Sequence, residues 1–215
     1  MDKRKPLFRL TAALLLAAML LCCTGCVVIG KRKPIATLKF SNGVEVTIRL
    51  YPDKAPNTVD NFISLANSGF YDGSPVHRIM EYVLIQMGSP ADSEEIDAGY
   101  YIKGEFAQNG YVKNDIVFDE GIVGMARLSG PEGTEKEYFD TASSQFFIML
   151  EPKEAMDGLY APFGKVITGM RDIVAISKMD VDDNKYPRDE IYLVSVRVNC
   201  YDYKPGTPKT IDKSA

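Results

Sequence analysis

Few residues in this sequence are equipped for chemistry. His77 is the only histidine, and it stands directly beside Arg78. An imidazole next to a cation suggests acid–base work. The partners of a hydrolase are missing, however: there is no second histidine, no suitably placed cysteine and no nucleophile elbow. His77 therefore reads as a structural hydrogen-bonding residue. Arg78 offers a planar, multi-donor, permanently charged group that can stabilise electron density developing on a reacting atom. Taken alone, it reads as a solvated surface charge. Gln86 lies eight residues further on, inside an apolar run. It is a neutral group able to hold a peptide backbone or to bond to its own strand. Residues 180–184 (Asp-Val-Asp-Asp-Asn) open like a calcium loop, but position six is Lys185 rather than Gly and position twelve is Ile191 rather than Glu. That excludes an EF-hand and leaves a turn with exposed carboxylates.

These residues must be positioned by a mainly β body. Residues 35–40 and 44–50 alternate apolar and polar around Asn42-Gly43, a hairpin signal because type I′ turns need positive φ. Residues 55–68 predict a helix, with Pro56 at its first position, Val59, Phe62, Ile63 and Ala66 on one stripe, and Gly69 just past its end. Short runs at 82–86, 122–126, 145–150 and 162–167 predict strands; 169–179 predicts a second helix and 191–198 a closing strand. Residues 203–215, polar with two prolines, are expected to be loose. Many short strands, two helices and no internal repeat suggest a closed β-barrel capped by helices.

The chain has 215 residues and a net charge of −4, which suits one domain and gives no electrostatic case for nucleic acid. Residues 1–25 hold Lys3, Arg4, Lys5 and Arg9 against Asp2, so their removal would leave −7. The basic residues precede an apolar run at 10–21 and then Thr24-Gly25-Cys26, the layout of a secretory signal. The stretch Cys23-Thr24-Gly25-Cys26 resembles a bacterial lipobox, which implies a lipidated Cys26 at the mature N-terminus. An uncleaved anchor is the other reading, since residues 10–29 carry no charge over a length just able to span a bilayer. Both place the body outside the cytoplasmic membrane, in a bacterial cell envelope. The expected organisation is a signal at 1–25, a lipidated tether at 26–34, a domain at 35–200 and a tail at 201–215. Lys31, Arg32 and Lys33 are placed to sit at anionic headgroups.

A family resemblance joins the motifs. Residues 55–62 (Ala-Pro-Asn-Thr-Val-Asp-Asn-Phe), 69–73 (Gly-Phe-Tyr-Asp-Gly), His77-Arg78, 84–88 (Leu-Ile-Gln-Met-Gly), Gly124-Met125-Ala126, 144–148 (Ser-Gln-Phe-Phe-Ile), and Asp157-Gly158 through 163–166 resemble, in order, the cyclophilins. The match runs from about 35 to 198. It implies an eight-stranded antiparallel barrel, closed and capped by two helices, and peptidyl-prolyl cis/trans isomerase activity without metal or cofactor. The implied catalytic residue is Arg78. Leu84 and Phe147 match the proline pocket, with Val83, Met156 and Tyr160 at its wall. Gln86 matches a polar partner of the arginine, and Gln145, Ala126 and the backbone of Arg127 match positions that bind the peptide beside the proline. The implied partners are proline-containing unfolded or exported polypeptides, with the membrane reached through the lipid. A monomer is expected.

Three positions depart from the common family pattern. Val83 stands where phenylalanine usually floors the pocket, Tyr160 where histidine is common, and Ala155 where many members carry a tryptophan tied to cyclosporin binding. Val83 and Ala155 keep open an alternative, a proline-peptide binding module with little catalysis. Residues 128–141 form a longer link than usual, carrying Glu132, Glu135, Glu137 and Asp140. This is read as a solvated loop, or more sharply as a rim selecting basic or extended substrates.

Overall fold

A computed structural model describes residues 31–90 and 97–213. The expected signal at 1–25 and Cys26 lie outside the described residues. No helix among the described residues is long and apolar enough to cross a membrane. The compact body begins at Arg32.

The elements run in the order β1 (Ile35–Phe40), β2 (Glu45–Leu50), α1 (Pro56–Ser68), β3 (Val76–Met80), β4 (Leu84–Met87), β5 (Tyr100–Ile102), β6 (Ile122–Met125), β7 (Phe146–Met149), β8 (Ala161–Thr168), α2 (Met170–Ile176), β9 (Leu193–Asn199) and β10 (Thr210–Asp212). Three 3₁₀ turns, Ala107–Asn109, Glu135–Tyr138 and Glu154–Met156, punctuate the loops. Eight strands form one antiparallel sheet in the order β3-β4-β7-β6-β8-β2-β1-β9, and β5 pairs separately with β10.

The mainly β fold with two helices agrees with expectation, but the barrel does not close. The sheet is an open half-barrel whose edge strands β3 and β9 share no ladder. Their pairing is confined to the surroundings of a bridge between Pro75 and Tyr192, where Leu193 donates to the Ser74 carbonyl at 2.8 Å and Gly73 to the Leu193 carbonyl at 2.7 Å. The cause lies in the segment ahead of β9. Val76 donates to the Ile191 carbonyl at 2.9 Å and Ile79 to the Lys185 carbonyl at 2.9 Å, so residues 185–191 occupy the outer edge of β3. The edge is thus covered rather than paired with β9.

α1 forms where the apolar stripe predicts it. Gly69 ends it in the left-handed region at φ 84°, which suits a residue without Cβ. Its N-cap, Ala55, makes no side-chain cap bond. A distant residue caps the helix instead: buried Glu105 accepts from the Asn57 N–H (3.1 Å), the Thr58 N–H (2.8 Å) and the Thr58 hydroxyl (2.8 Å). A carboxylate there also faces the positive end of the helix dipole. The buried face of α1 carries Phe62, whose ring packs 5.4 Å from Tyr71, 5.3 Å from Phe146 and 5.1 Å from Phe163.

The C-terminal segment differs from the loose tail expected. Tyr203 donates to Asp60 at 2.6 Å, Asn57 and Lys209 exchange bonds of 3.0 and 2.7 Å, and residues 210–212 add β10 to β5. Composition does not reveal these tertiary partners. At the start of the described body, the Arg32 guanidinium sits 4.6 Å from the Tyr201 ring centre and Lys33 pairs with Asp53 at 2.8 Å.

Candidate active site

Alternation along β4, β6 and β7 creates the site. Successive strand residues face opposite sides of a sheet, while residues directly opposite on neighbouring strands share a face. Ile85, Ile148 and Val123 stand in one cross-strand row and face the core under α1. Arg78, Gln86, Phe147 and Gly124 form the adjacent row. Leu84 and Met149 are opposite each other two residues along, on the same face as Gln86 and Phe147. That face carries a second apolar cluster of Leu84, Phe118, Ile122, Phe147 and Met149. Val83, Ala126, Met156 and Tyr160 pack against it, half-buried. β6 and β7 are therefore buried throughout, with the main core on one side and this cluster on the other.

The cluster is a shallow aromatic bowl. Phe147 is 2 % exposed. Its ring centre lies 5.6 Å from Phe118 and 5.7 Å from Tyr160, edge-on to the latter at 90°. Gly124 faces Phe147 because nothing larger fits: a Cβ would stand 2.5 Å from the Phe147 ring and 2.7 Å from Phe118. Asp157 accepts from the Phe118 N–H at 2.7 Å, and Lys153 donates to the Phe118 carbonyl at 2.9 Å, fastening the turn that carries Ala155 and Met156. Ala155 is exposed.

A polar chain borders the bowl. The Arg78 guanidinium is exposed and donates from Nη1 to Gln86 Oε1 at 3.4 Å. Gln86 Nε2 donates to Gln145 Oε1 at 2.8 Å. Gln145 also hydrogen-bonds His77, whose Nδ1 lies 3.3 Å from the Ser89 hydroxyl. Burial is the main influence on His77 and lowers its pKa; bonds with Gln145 and Pro75 oppose this. The imidazole is thus neutral at pH 7, in keeping with a structural role. Across the bowl, the Arg127 side chain folds back between aromatic rings, 4.6 Å from Tyr160 and 5.1 Å from Phe139. Its Nε donates to the Leu159 carbonyl at 3.1 Å and Nη1 to that of Leu128 at 3.0 Å.

The structure brings together all ten residues singled out from the sequence: Arg78, Val83, Leu84, Gln86, Ala126, Arg127, Gln145, Phe147, Met156 and Tyr160. Sequence reasoning missed Phe118, although it ends a short apolar run at 116–118. It also missed the steric demand at Gly124 and the aromatic sandwich around Arg127. Within 128–141, residues 128–137 are mostly exposed, Glu132, Glu135 and Glu137 among them, as a solvated loop requires; only its end packs inward. Phe139 is buried edge-on against Phe106 at 5.1 Å, and Asp140 accepts from the Gly104 N–H and from Asn109. The 180–184 segment is a turn, as expected: Asp182 accepts from the Asn184 and Tyr186 N–H groups at 2.9 Å each.

The family model described as "Cyclophilin type peptidyl-prolyl cis-trans isomerase/CLD" matches residues 35–198, so the chain belongs to the cyclophilin-type peptidyl-prolyl cis-trans isomerases. Peptidyl-prolyl cis-trans isomerase B of Bacillus subtilis is 36% identical over 142 residues, covering 66% of this chain and 90% of that protein. The human peptidyl-prolyl cis-trans isomerase-like 1 is 32% identical over 162 residues, covering 75% of this chain and 90% of that one. A Cryptosporidium parvum cyclophilin solved in the presence of the dipeptide Ala-Pro superposes with a TM-score of 0.62 at 24% identity, covering 77% of this chain and 98% of that one, and supports the fold.

Proposed function

We propose that the chain isomerises Xaa-Pro bonds in exported polypeptides at the outer face of a bacterial membrane, held there by a lipid on Cys26. One observation carries the catalytic part: Arg78, Gln86 and Phe147 stand in a single cross-strand row, so a charged donor and an aromatic bowl share one face. Peptide-bond rotation has a barrier of roughly 20 kcal/mol because resonance stiffens the C–N bond. Uncatalysed Xaa-Pro exchange takes about tens to hundreds of seconds. Reaching about 10³ s⁻¹ needs roughly 6–7 kcal/mol of transition-state stabilisation. No proton transfer or nucleophile is required.

In this reading the bowl of Phe147, Leu84, Met156 and Tyr160 takes the proline ring and removes water from it. Gln145 and the backbone at Ala126 and Arg127 hold the peptide alongside. As the bond twists, the proline nitrogen loses conjugation and its lone pair becomes basic. Arg78 donates to that nitrogen, an interaction made chiefly in the twisted state, where it accelerates rotation. The chain Gln145–Gln86–Arg78 limits the guanidinium's freedom before substrate arrives.

The membrane setting rests on the N-terminal sequence, with its basic residues, apolar run and Thr24-Gly25-Cys26. Two acyl chains hold a protein stably where one does not. The remainder of the chain is acidic and offers no basic patch to help, so in this reading the lipid carries the attachment. NMR exchange spectroscopy on Xaa-Pro peptides tests the activity, and absent catalysis would leave the peptide-binding alternative. Mass spectrometry of the N-terminal peptide tests the anchor: diacylglycerol on Cys26 is expected, and an intact Met1 start would overturn it.

A further inference from the structure

Beside the bowl lies a pocket of about 100 Å³, lined by Ala126, Arg127 and Gln145 on the site's side and by Asp97, Thr141 and Ser143 on the other. Its location assigns it a peptide side chain next to the proline. Among the described residues, Asp97 is the one carboxylate in its lining, and it is only 6 % exposed. Asp97 Oδ1 accepts from the Gly99 N–H at 2.9 Å and from Lys213 Nζ at 2.6 Å. Lys213 comes from the C-terminal segment, which functions as a strap. Tyr203 on Asp60 and Lys209 on Asn57 tie it across the start of α1. β10 then adds to β5, and Lys213 arrives at Asp97 with its Nζ 5.2 Å from the Tyr101 ring centre. The cation of the lining itself, Arg127, is turned onto Tyr160 and Phe139.

We infer that Asp97 is a specificity-determining residue of this pocket and that the strap, through Lys213, keeps it neutralised. With Lys213 seated, the carboxylate has its counter-charge, and the pocket accepts neutral side chains without selecting a cation. With Lys213 removed, a poorly hydrated carboxylate borders the pocket, and a substrate lysine or arginine becomes its natural partner. The inference builds on the isomerase reading for the placing of the peptide, but its test is binding, which needs no turnover.

The test measures Kd by fluorescence titration. Full-length wild type, Lys213→Gln, Asp97→Asn and the double variant are compared on peptides with one proline and Ala, Lys or Glu at each flanking position in turn. Wild type is expected to show little charge preference. Lys213→Gln should raise the Lys-over-Glu affinity ratio about fivefold or more at one flanking position. Asp97→Asn should abolish that gain, with the double variant matching Asp97→Asn alone. The Ala peptide serves as the common reference, and thermal midpoints confirm that each variant is folded. An unchanged ratio in folded Lys213→Gln overturns the inference, as does a gain that persists in the double variant. Should wild type bind these peptides without catalysing exchange, the isomerase reading fails while the charge ratio still decides the role of Asp97.

Discussion

Replacing Arg78 by alanine separates catalysis from folding. Arg78 is exposed, and its hydrogen bond to Gln86 is long at 3.4 Å. Surface side chains of this kind change stability by about 0.5 kcal/mol or less, so the fold should survive. What is removed is a charge-assisted hydrogen bond to the twisted proline nitrogen, in the range of about 1.5–3 kcal/mol. At about 1.4 kcal/mol per decade, kcat/KM should fall by roughly 10- to 150-fold. Arg78→Lys should recover part of this, because the charge returns without the planar fork. Gln86→Leu leaves the arginine in place but removes its tether, and should cost about fivefold, near 1 kcal/mol. Line-shape or exchange NMR on a short Ala-Pro peptide gives the rates directly, and a denaturation curve for each variant checks folding. Equal rates for wild type and a well-folded Arg78→Ala would refute the assignment. A fall in Gln86→Leu that exceeded that of Arg78→Ala would show that glutamine, not arginine, carries the chemistry.

Three further outcomes follow from the geometry. Gly124→Ala places a Cβ against the Phe147 and Phe118 rings; it should destabilise the fold by about 1–3 kcal/mol and lower peptide affinity by tilting Phe147, both read by denaturant titration and peptide binding. Glu105→Ala leaves two α1 N–H groups without their acceptor and should cost about 2 kcal/mol, measured as a fall of roughly 4–8 °C in Tm, with no direct effect at the bowl. His77 predicts a pH signature: burial lowers its pKa below the ordinary 6.5, so the unfolded chain binds the proton more readily. Its stabilising contribution is complete above pH 6.5 and is lost as pH falls below that toward the folded value. His77→Gln should flatten the drop in denaturation midpoint between pH 7.5 and 5.5, and an identical drop in both proteins would contradict this.

Much of the architecture could be read from local pattern. The β1–β2 hairpin, the apolar stripe of α1 and its glycine terminus depend on neighbours within a few residues, and the sequence displays those neighbours directly; the turn itself is not the type I′ expected, since Gly43 has positive φ and Asn42 does not. Individual site residues were visible through short motifs, each carrying a residue type the chemistry needs. The capping of α1 was not visible, since Glu105 stands 48 and 47 residues from the Asn57 and Thr58 N–H groups it caps. The path of residues 203–213 was equally hidden, because a polar, proline-containing segment is ordered here by Asp60, Asn57 and β5.

The sequence by itself determined the side-chain inventory: one arginine beside the only histidine, a glutamine eight residues on, aromatic strands with period-two alternation, and no nucleophile of a familiar kind. Alternation specifies which residues of one strand share a face, but says nothing about which strands become neighbours. The tertiary structure alone decided the register that aligns Arg78 with Gln86, Phe147 and Gly124. It also decided that residues 185–191 cover the edge of β3, leaving the barrel open, and that Lys213 meets Asp97 at the pocket. Register, edge coverage and long-range ion pairing arise from contacts between distant segments, and their energies are settled only when the whole core packs.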